Sequence, residues 1–346
     1  MSLNPQNRRM ATIGVALVIL VVFVVLGTTA RVPYVALSPG PTVNTLGKIA
    51  GTPVVTVTGA VDPDPKGHLN LTTVSLSDGM TLFQAIGMWF SGNYQLQPRD
   101  LYFPPDKSED DVRKENTAQM SSSEDNAIGA ALTYLKLPTA VAVAGVSDDS
   151  PASGKLKPGD VLVAVGDKQV KTFEDVQAAV RAHKPGEVVP VEVNRDGTVQ
   201  TIDVKLGARP DDKDAAFLGV TSRLTSADPK IKIDFNVGDI GGPSAGLMMA
   251  LAVIDKMTPG DLSRGKFIAG TGTIDPSGEV GVIGGITHKL KAAKEAGATA
   301  FLVPAGNCKE ASSDAPDGLE LVKVGTLTDA VDALGEIGTD KKPAHC

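Results

Sequence analysis

Residues 10–27 are apolar without interruption except at Thr12, and they are rich in Val, Ile and Leu. At about 1.5 Å per residue, a helix of that length reaches roughly 27 Å, close to the hydrocarbon thickness of a bilayer. No face of the run is polar, which argues against a buried core helix. Arg8 and Arg9 precede it and only Arg31 follows closely, so the positive-inside rule keeps the N-terminus cytoplasmic and exports everything after residue 31. The run outlasts the apolar core of most signal peptides, although Thr28-Thr29-Ala30 offers a cleavage-like end. The expectation is a retained single-pass membrane anchor, with cleavage as the alternative. Either way the body is extracytoplasmic.

An oxidising compartment lets the two cysteines, Cys308 and Cys346, pair and tie the C-terminal tail back to the chain. Two thiols cannot build a four-thiolate zinc site, and His68, His183, His288 and His345 show no ligand spacing. No metal and no cofactor are expected. With 33 Lys+Arg against 40 Asp+Glu, the net charge of -7 leaves no broad basic face for nucleic acid. The 346 residues exceed what one core usually fills, so two globular units are expected.

Along the chain, Pro33, Pro39 and Pro41 make 32–47 read as an extended connector. Segments 53–58 and 68–76 read as a strand pair joined by a hairpin loop at 62–67. A helix is expected over 80–90 with Trp89 as its packing anchor, and then an exposed loop over 98–118. Ser121-Ser122-Ser123-Glu124 supplies N-cap chemistry for a helix through about residue 135. From 139 to 206 the grammar changes to strands at 140–146 and 161–165, a helix at 172–182, and a hairpin of 188–194 and 198–206 turning at Asp196-Gly197. Here Ser150-Pro151-Ala152, Leu156-Lys157-Pro158-Gly159-Asp160-Val161-Leu162, Gly166-Asp167 and Val170 resemble a PDZ domain. The resemblance implies a peptide added as a strand at a sheet edge, its carboxylate held by backbone N–H groups. The loop for this is placed near Leu137-Pro138-Thr139-Ala140.

Gly241-Gly242-Pro243-Ser244-Ala245-Gly246-Leu247 sets a serine among small residues ahead of an apolar helix over 247–254. Small neighbours such as Gly242 let a substrate backbone approach, and a helix start offers N–H groups to an oxyanion. Further on, Ile283-Gly284-Gly285-Ile286-Thr287-His288-Lys289-Leu290 follows Thr271-Gly272-Thr273. These motifs together resemble the Lon-type serine protease domain. The resemblance implies that Ser244 is the nucleophile, Lys289 its general base, Thr271 the hydroxyl that orients the lysine and Gly242 a supporting residue. Ala-Gly-Ala-Thr-Ala-Phe-Leu-Val-Pro at 296–304 resembles the family's helix-to-strand passage. Where the family carries an acidic residue three positions before its serine this chain has Gly241, and its Glu after Thr-Gly is Thr273. A lysine serves as base near neutrality only if apolar surroundings depress its pKa, which Ile283, Ile286 and Leu290 can supply. A strand over 231–237 lies just upstream of the serine, and Phe235, Asn236 and Val237 are placed as substrate-binding backbone.

Two rivals stand beside this reading. An α/β-hydrolase elbow at Ser244 requires a histidine, for which His288, expected at the surface, and His345 are the candidates. A non-catalytic PDZ adaptor at the membrane is the other. Gly260-Asp261-Leu262-Ser263-Arg264-Gly265-Lys266-Phe267 imitates a phosphate-binding loop but ends in Phe where a magnesium-holding hydroxyl belongs, so no ATP dependence is expected. The expected organisation is α+β. A cytoplasmic stub and anchor cover 1–31, and a connector with the first part of the protease domain covers 32–137. A PDZ domain follows at 138–208 and a Lon-type proteolytic domain with its tail at 209–346. The whole resembles the membrane-anchored PDZ-containing Lon-like proteases, which implies a Ser/Lys endopeptidase acting on extracytoplasmic proteins or peptides. A homo-oligomer is the one further partner this reading allows.

Overall fold

A computed structural model describes residues 5–62, 64–209 and 211–346; residues 1–4, Pro63 of the 62–67 loop and Pro210 lie outside it. Among the described residues, those up to Pro41 together with Thr73–Glu115 form one compact unit, and Thr42–Thr72 with Asn116–Cys346 form a second.

In the first unit, helix α1 (Pro5–Thr29) contains the apolar run, and its Arg9–Thr29 stretch is long and apolar enough to cross a membrane. The segment expected as a connector is instead a strand, Tyr34–Asn44, whose first residues pair antiparallel with Gln95–Pro98. Its prolines are tolerated because they interrupt few ladder bonds. Helix α2 (Leu82–Phe90) starts at a capping box in which Thr81 and Gln84 satisfy each other's backbone N–H groups. Trp89 does not anchor it: the side chain is 63% exposed, and Ala85 is the buried residue of the helix.

Helix α3 (Glu109–Tyr134) begins twelve residues before the expected serine cap. Ser108 starts it, since Asp111 N–H donates to Ser108 Oγ at 3.1 Å and Ser108 N–H to the Asp111 carboxylate at 3.3 Å. The stretch 109–118 is therefore helix, not loop. The strand pair expected around 62–67 is also absent. Val55–Thr58 pairs antiparallel with Lys232–Phe235, and 68–71 lies parallel to Phe267–Gly270. That last strand continues into a parallel layer with Ala300–Pro304 and then Glu320–Val324.

Between 139 and 226 an antiparallel sheet runs in the spatial order 198–205, 188–195, 161–165, 139–146, 220–226. Val141, Val143, Leu162, Val165, Val189 and Val191 fill its core against helix α4 (Phe173–Arg181). Val220–Ser226 lies beyond the expected end of this module at 208, yet it pairs with Thr139–Val146 along its whole length. Asp160, 1% exposed, is held by Arg195 through two bonds of 2.7 Å.

Helix α5 (Gly246–Met257) is buried on every side from Gly246 to Lys256. Its apolar residues form one core with Leu69 and Leu71, with Ala127, Ile128 and Leu132 of α3, and with Leu302 and Val322. Each fully buried large side chain there contributes about 1.5–3 kcal/mol. Helix α6 (Ile286–Ala296) starts after Gly285 at φ 68° and ends at Gly297 at φ 97°, both left-handed conformations that glycine adopts without strain.

Candidate active site

Ser244 sits two residues before α5, and Lys289 sits in the first turn of α6. Packing of these helices brings Lys289 Nζ to 2.7 Å from Ser244 Oγ and 2.9 Å from Thr271 Oγ1. Thr271 follows the Phe267–Gly270 strand, and its hydroxyl donates to the Ser244 carbonyl at 3.1 Å. Gly272 N–H donates to the same carbonyl at 3.0 Å. Because the Thr271 proton is committed to that carbonyl, its oxygen can only accept from the amine. Nζ donates to Ser244 Oγ as well, and a neutral Lys289 that gives one N–H to Thr271 still has a lone pair able to take the serine proton.

The surroundings favour that neutral form. Thr271 is 0% exposed and Lys289 3% exposed, with Ile286 and Leu290 fully buried beside the lysine. Burial pushes the Lys289 amine down from 10.5 to about 8. His288 is not at the surface: it is 5% exposed, and burial followed by repulsion from Lys291 lowers its pKa. His345 lies in the tail, 2.9 Å from Glu320. Ser244 Oγ is bonded by Lys289.

The loop before Ser244 is tied down from α3. Gly242, at φ 89°, donates its N–H to the Asn116 carbonyl at 3.1 Å, and Ser123 Oγ donates to the Pro243 carbonyl at 3.0 Å. Leu247 N–H, at the start of α5, donates to the Gly272 carbonyl at 3.2 Å. The N–H groups expected to be free around the serine are thus partly engaged. Nothing in the sequence marks Asn116 for this role, and the serine run at 121–123 carries the signal of a helix cap, which hides Ser123.

The upstream strand is shorter than expected, Lys232–Phe235. One edge carries the Val55–Thr58 ladder, which Asn236 extends by donating to the Val54 carbonyl at 2.8 Å. Val237 is buried in the core, and Phe235, partly buried, packs against it.

Two known families match parts of the chain. The family of Lon protease (S16) C-terminal proteolytic domains matches residues 225–334, and the PDZ family matches residues 112–206. The chain carries a PDZ domain and a Lon-type proteolytic domain. Lon protease 2 of Bacillus subtilis is 35% identical over 127 residues, covering 36% of this chain and 22% of the relative. Lon protease of Clostridioides difficile is 44% identical over 86 residues, 24% of this chain and 10% of the relative. Serine protease Do-like HtrA of Lactococcus lactis is 35% identical over 106 residues, 29% of this chain and 24% of the relative. The chain thus spans a quarter or less of the length of each of these relatives. Among solved structures, the PDZ domain of the SdrC-like protein from Listeria monocytogenes is 24% identical and covers 24% of this chain and 86% of its own, with a TM-score of 0.22. Together with the apolar N-terminal helix, the two domains fit a membrane-anchored PDZ-containing Lon-like protease.

In the PDZ module a cavity of about 560 Å³ lies between α4 and residues 216–222. Phe217, Leu218 and Gly219 line it opposite Val176 and Val180. Leu137-Pro138-Thr139-Ala140 do not line this cavity.

Proposed function

We propose that the chain is a serine endopeptidase, independent of ATP, that cleaves extracytoplasmic proteins or peptides with Ser244 as nucleophile and Lys289 as general base. The observation that carries this is the 2.7 Å approach of Lys289 Nζ to Ser244 Oγ in a buried setting, with Thr271 Oγ1 accepting from the same amine at 2.9 Å. Neutral Nζ takes the proton from Oγ as the oxygen attacks the scissile carbonyl. The ammonium then returns that proton to the leaving amine, and the acyl-serine is hydrolysed by a water that the same amine deprotonates. Gly242, at its positive φ, shapes the turn that presents Ser244. The backbone of Phe235, Asn236 and Val237 is assigned to hold substrate in extended form.

The protease domain in this reading is split in sequence. Its core draws on 46–71 and on α3 as well as on residues after 231, with the PDZ module inserted between. The anchor holds the body on the extracytoplasmic side, where the Cys308–Cys346 disulfide is stable.

The test is hydrolysis of an unfolded protein substrate without nucleotide. Ser244→Ala and Lys289→Ala should each abolish it while far-UV and near-UV dichroism stay unchanged, and the double variant should lose little more. Full activity in Lys289→Ala, or a dead variant lacking only His288 and His345, would return the histidine reading.

A further inference from the structure

We propose that helix α2 lies in the outer interface of the membrane and inserts Trp89 and Phe90 among the lipids. The proposal rests on reading α1 as a retained membrane span. Several backbone contacts fix the height of α2 relative to that span. Leu82 N–H donates to the Ala30 carbonyl at 3.3 Å, and Val32 N–H donates to the Met80 carbonyl at 3.0 Å. Arg31 and Thr81 form an antiparallel bridge. Side chains repeat the constraint deeper in the span. The Phe83 and Phe23 rings meet edge-on with centroids 5.4 Å apart. Gly27 lies so close that a Cβ there would stand 2.4 Å from the Phe83 ring. Phe23 is six residues before the end of α1, about 9 Å along the axis, so the first turn of α2 sits beside the last turns of the span.

From that fixed start the rest of α2 offers water almost nothing polar. Its nine residues, LFQAIGMWF, carry no charge and one amide. The inward face, Ala85 and Met88, packs with Ala36 and Met80. The outward face, at helical spacing from Phe83, is Ile86 at 40%, Trp89 at 63% and Phe90 at 77% exposure. This stripe is continuous, through Phe83, with the apolar flank of α1. Lipid covers that flank, so lipid is the occupant the stripe continues into, and Trp is the side chain enriched at that depth.

Trp89 is the single tryptophan of the chain, so its fluorescence reports on this helix alone. The experiment reconstitutes the full chain into vesicles of phosphatidylcholine with one-quarter phosphatidylglycerol. Lipids brominated either near the headgroup or near the chain ends serve as depth-resolved quenchers. The expected result is blue-shifted emission, protected from iodide and quenched severalfold more by shallow bromine than by deep bromine. Ile86→Asp with Phe90→Asp should shift the emission to the red and remove most of that quenching. Red, iodide-quenched emission from the intact chain would overturn the proposal, because α2 would face water. Blue emission indifferent to bromine would also overturn it, and would assign the stripe to a second copy or another protein. The intact mass of the vesicle-bound protein separates these outcomes from the underlying reading: a chain lacking α1 would remove the anchor itself, whatever the fluorescence.

Discussion

The N–H of Gly242 donates to the carbonyl of Asn116, so helix α3 holds the loop two residues ahead of the nucleophile. Two turns further along α3, Ser123 Oγ donates to a carbonyl of the same loop, that of Pro243. Ser123 is 3% exposed, so its hydroxyl has no water to fall back on. Ser123→Ala should lower stability by about 1 kcal/mol, the net worth of a hydrogen bond to a partly buried carbonyl. Because Pro243 adjoins Ser244, kcat should fall severalfold with KM nearly unchanged. Denaturant unfolding and steady-state kinetics on a reporter peptide check both. An unchanged kcat would confine Ser123 to packing.

The lysine makes activity and stability rise together with pH. Activity needs the neutral amine, so kcat/KM should rise with pH through an apparent pKa of about 8. Thr271→Val should cost far more activity than Thr271→Ser, since only the serine keeps a hydroxyl to bridge Lys289 and the Ser244 carbonyl. For stability, the folded pKa lies below the unfolded value of 10.5, so the folded state disfavours the proton that the unfolded chain holds. This penalty is full below about pH 8 and vanishes above about 10.5; at 1.36 kcal/mol per unit it amounts to about 3 kcal/mol. Lys289→Met should therefore be inactive yet more stable at pH 7, by up to that amount, with the gain shrinking as pH approaches 10. Unfolding midpoints at the two pH values measure the difference.

How much of this was legible in the sequence depended on how local the determining contacts are. The strands at 161–165 and 188–205 carry their own alternation and turn residues, so their bounds were readable. Ser244, Lys289 and Thr271 are marked by motifs whose glycines are needed locally, and the structure brings all three side chains together. The pairing of Val55–Thr58 with Lys232–Phe235 was not readable, because the partner lies beyond a whole inserted module and nothing local names it. The first half of α3, EDDVRKENTAQ, is polar on every face and shows no helical period; Ser108 and Asp111 were its one signal. His288 was misplaced because α6 buries adjacent positions, Ile286, His288, Lys289 and Leu290 together, so no polar face could be assigned to it.

Cys308 and Cys346 are bonded, 38 residues apart in sequence. A loop of that length corresponds to about 4 kcal/mol in the chain-entropy picture. The tail is also held without the bond. Cys346 N–H donates to the Leu321 carbonyl, Lys323 N–H to Ala344, and His345 meets Glu320. Cys346→Ser should therefore lower stability by less than that figure and leave kcat unchanged, since the bond lies at the end of the parallel layer and not at Ser244. Calorimetry of the oxidised, reduced and substituted proteins tests this. A loss of activity that tracks reduction would instead tie the tail to the site.

The PDZ groove offers the last test, and the structure changes how it must be made. Removing the module as bounded by the sequence would leave Val220–Ser226 without its partner strand and would disturb Arg223, which reaches Asp125 on α3 at 3.4 Å. A loss of activity after deletion would then say nothing about peptide binding. Gln177 is a better target, because it is an exposed residue of α4 that lines the cavity opposite Phe217 and Gly219. Gln177→Trp fills the groove from one side and leaves the core residues Val176 and Val180 in place. If the groove holds an extended peptide against the free edge of 220–226, as edge-strand recognition requires, tethering raises the local substrate concentration to about the millimolar range. The filled groove should then raise KM for long, unfolded protein substrates severalfold and leave a short reporter peptide almost untouched. Equal losses on both substrates would assign the module a bracing role. Unchanged cleavage of both would remove it from substrate delivery.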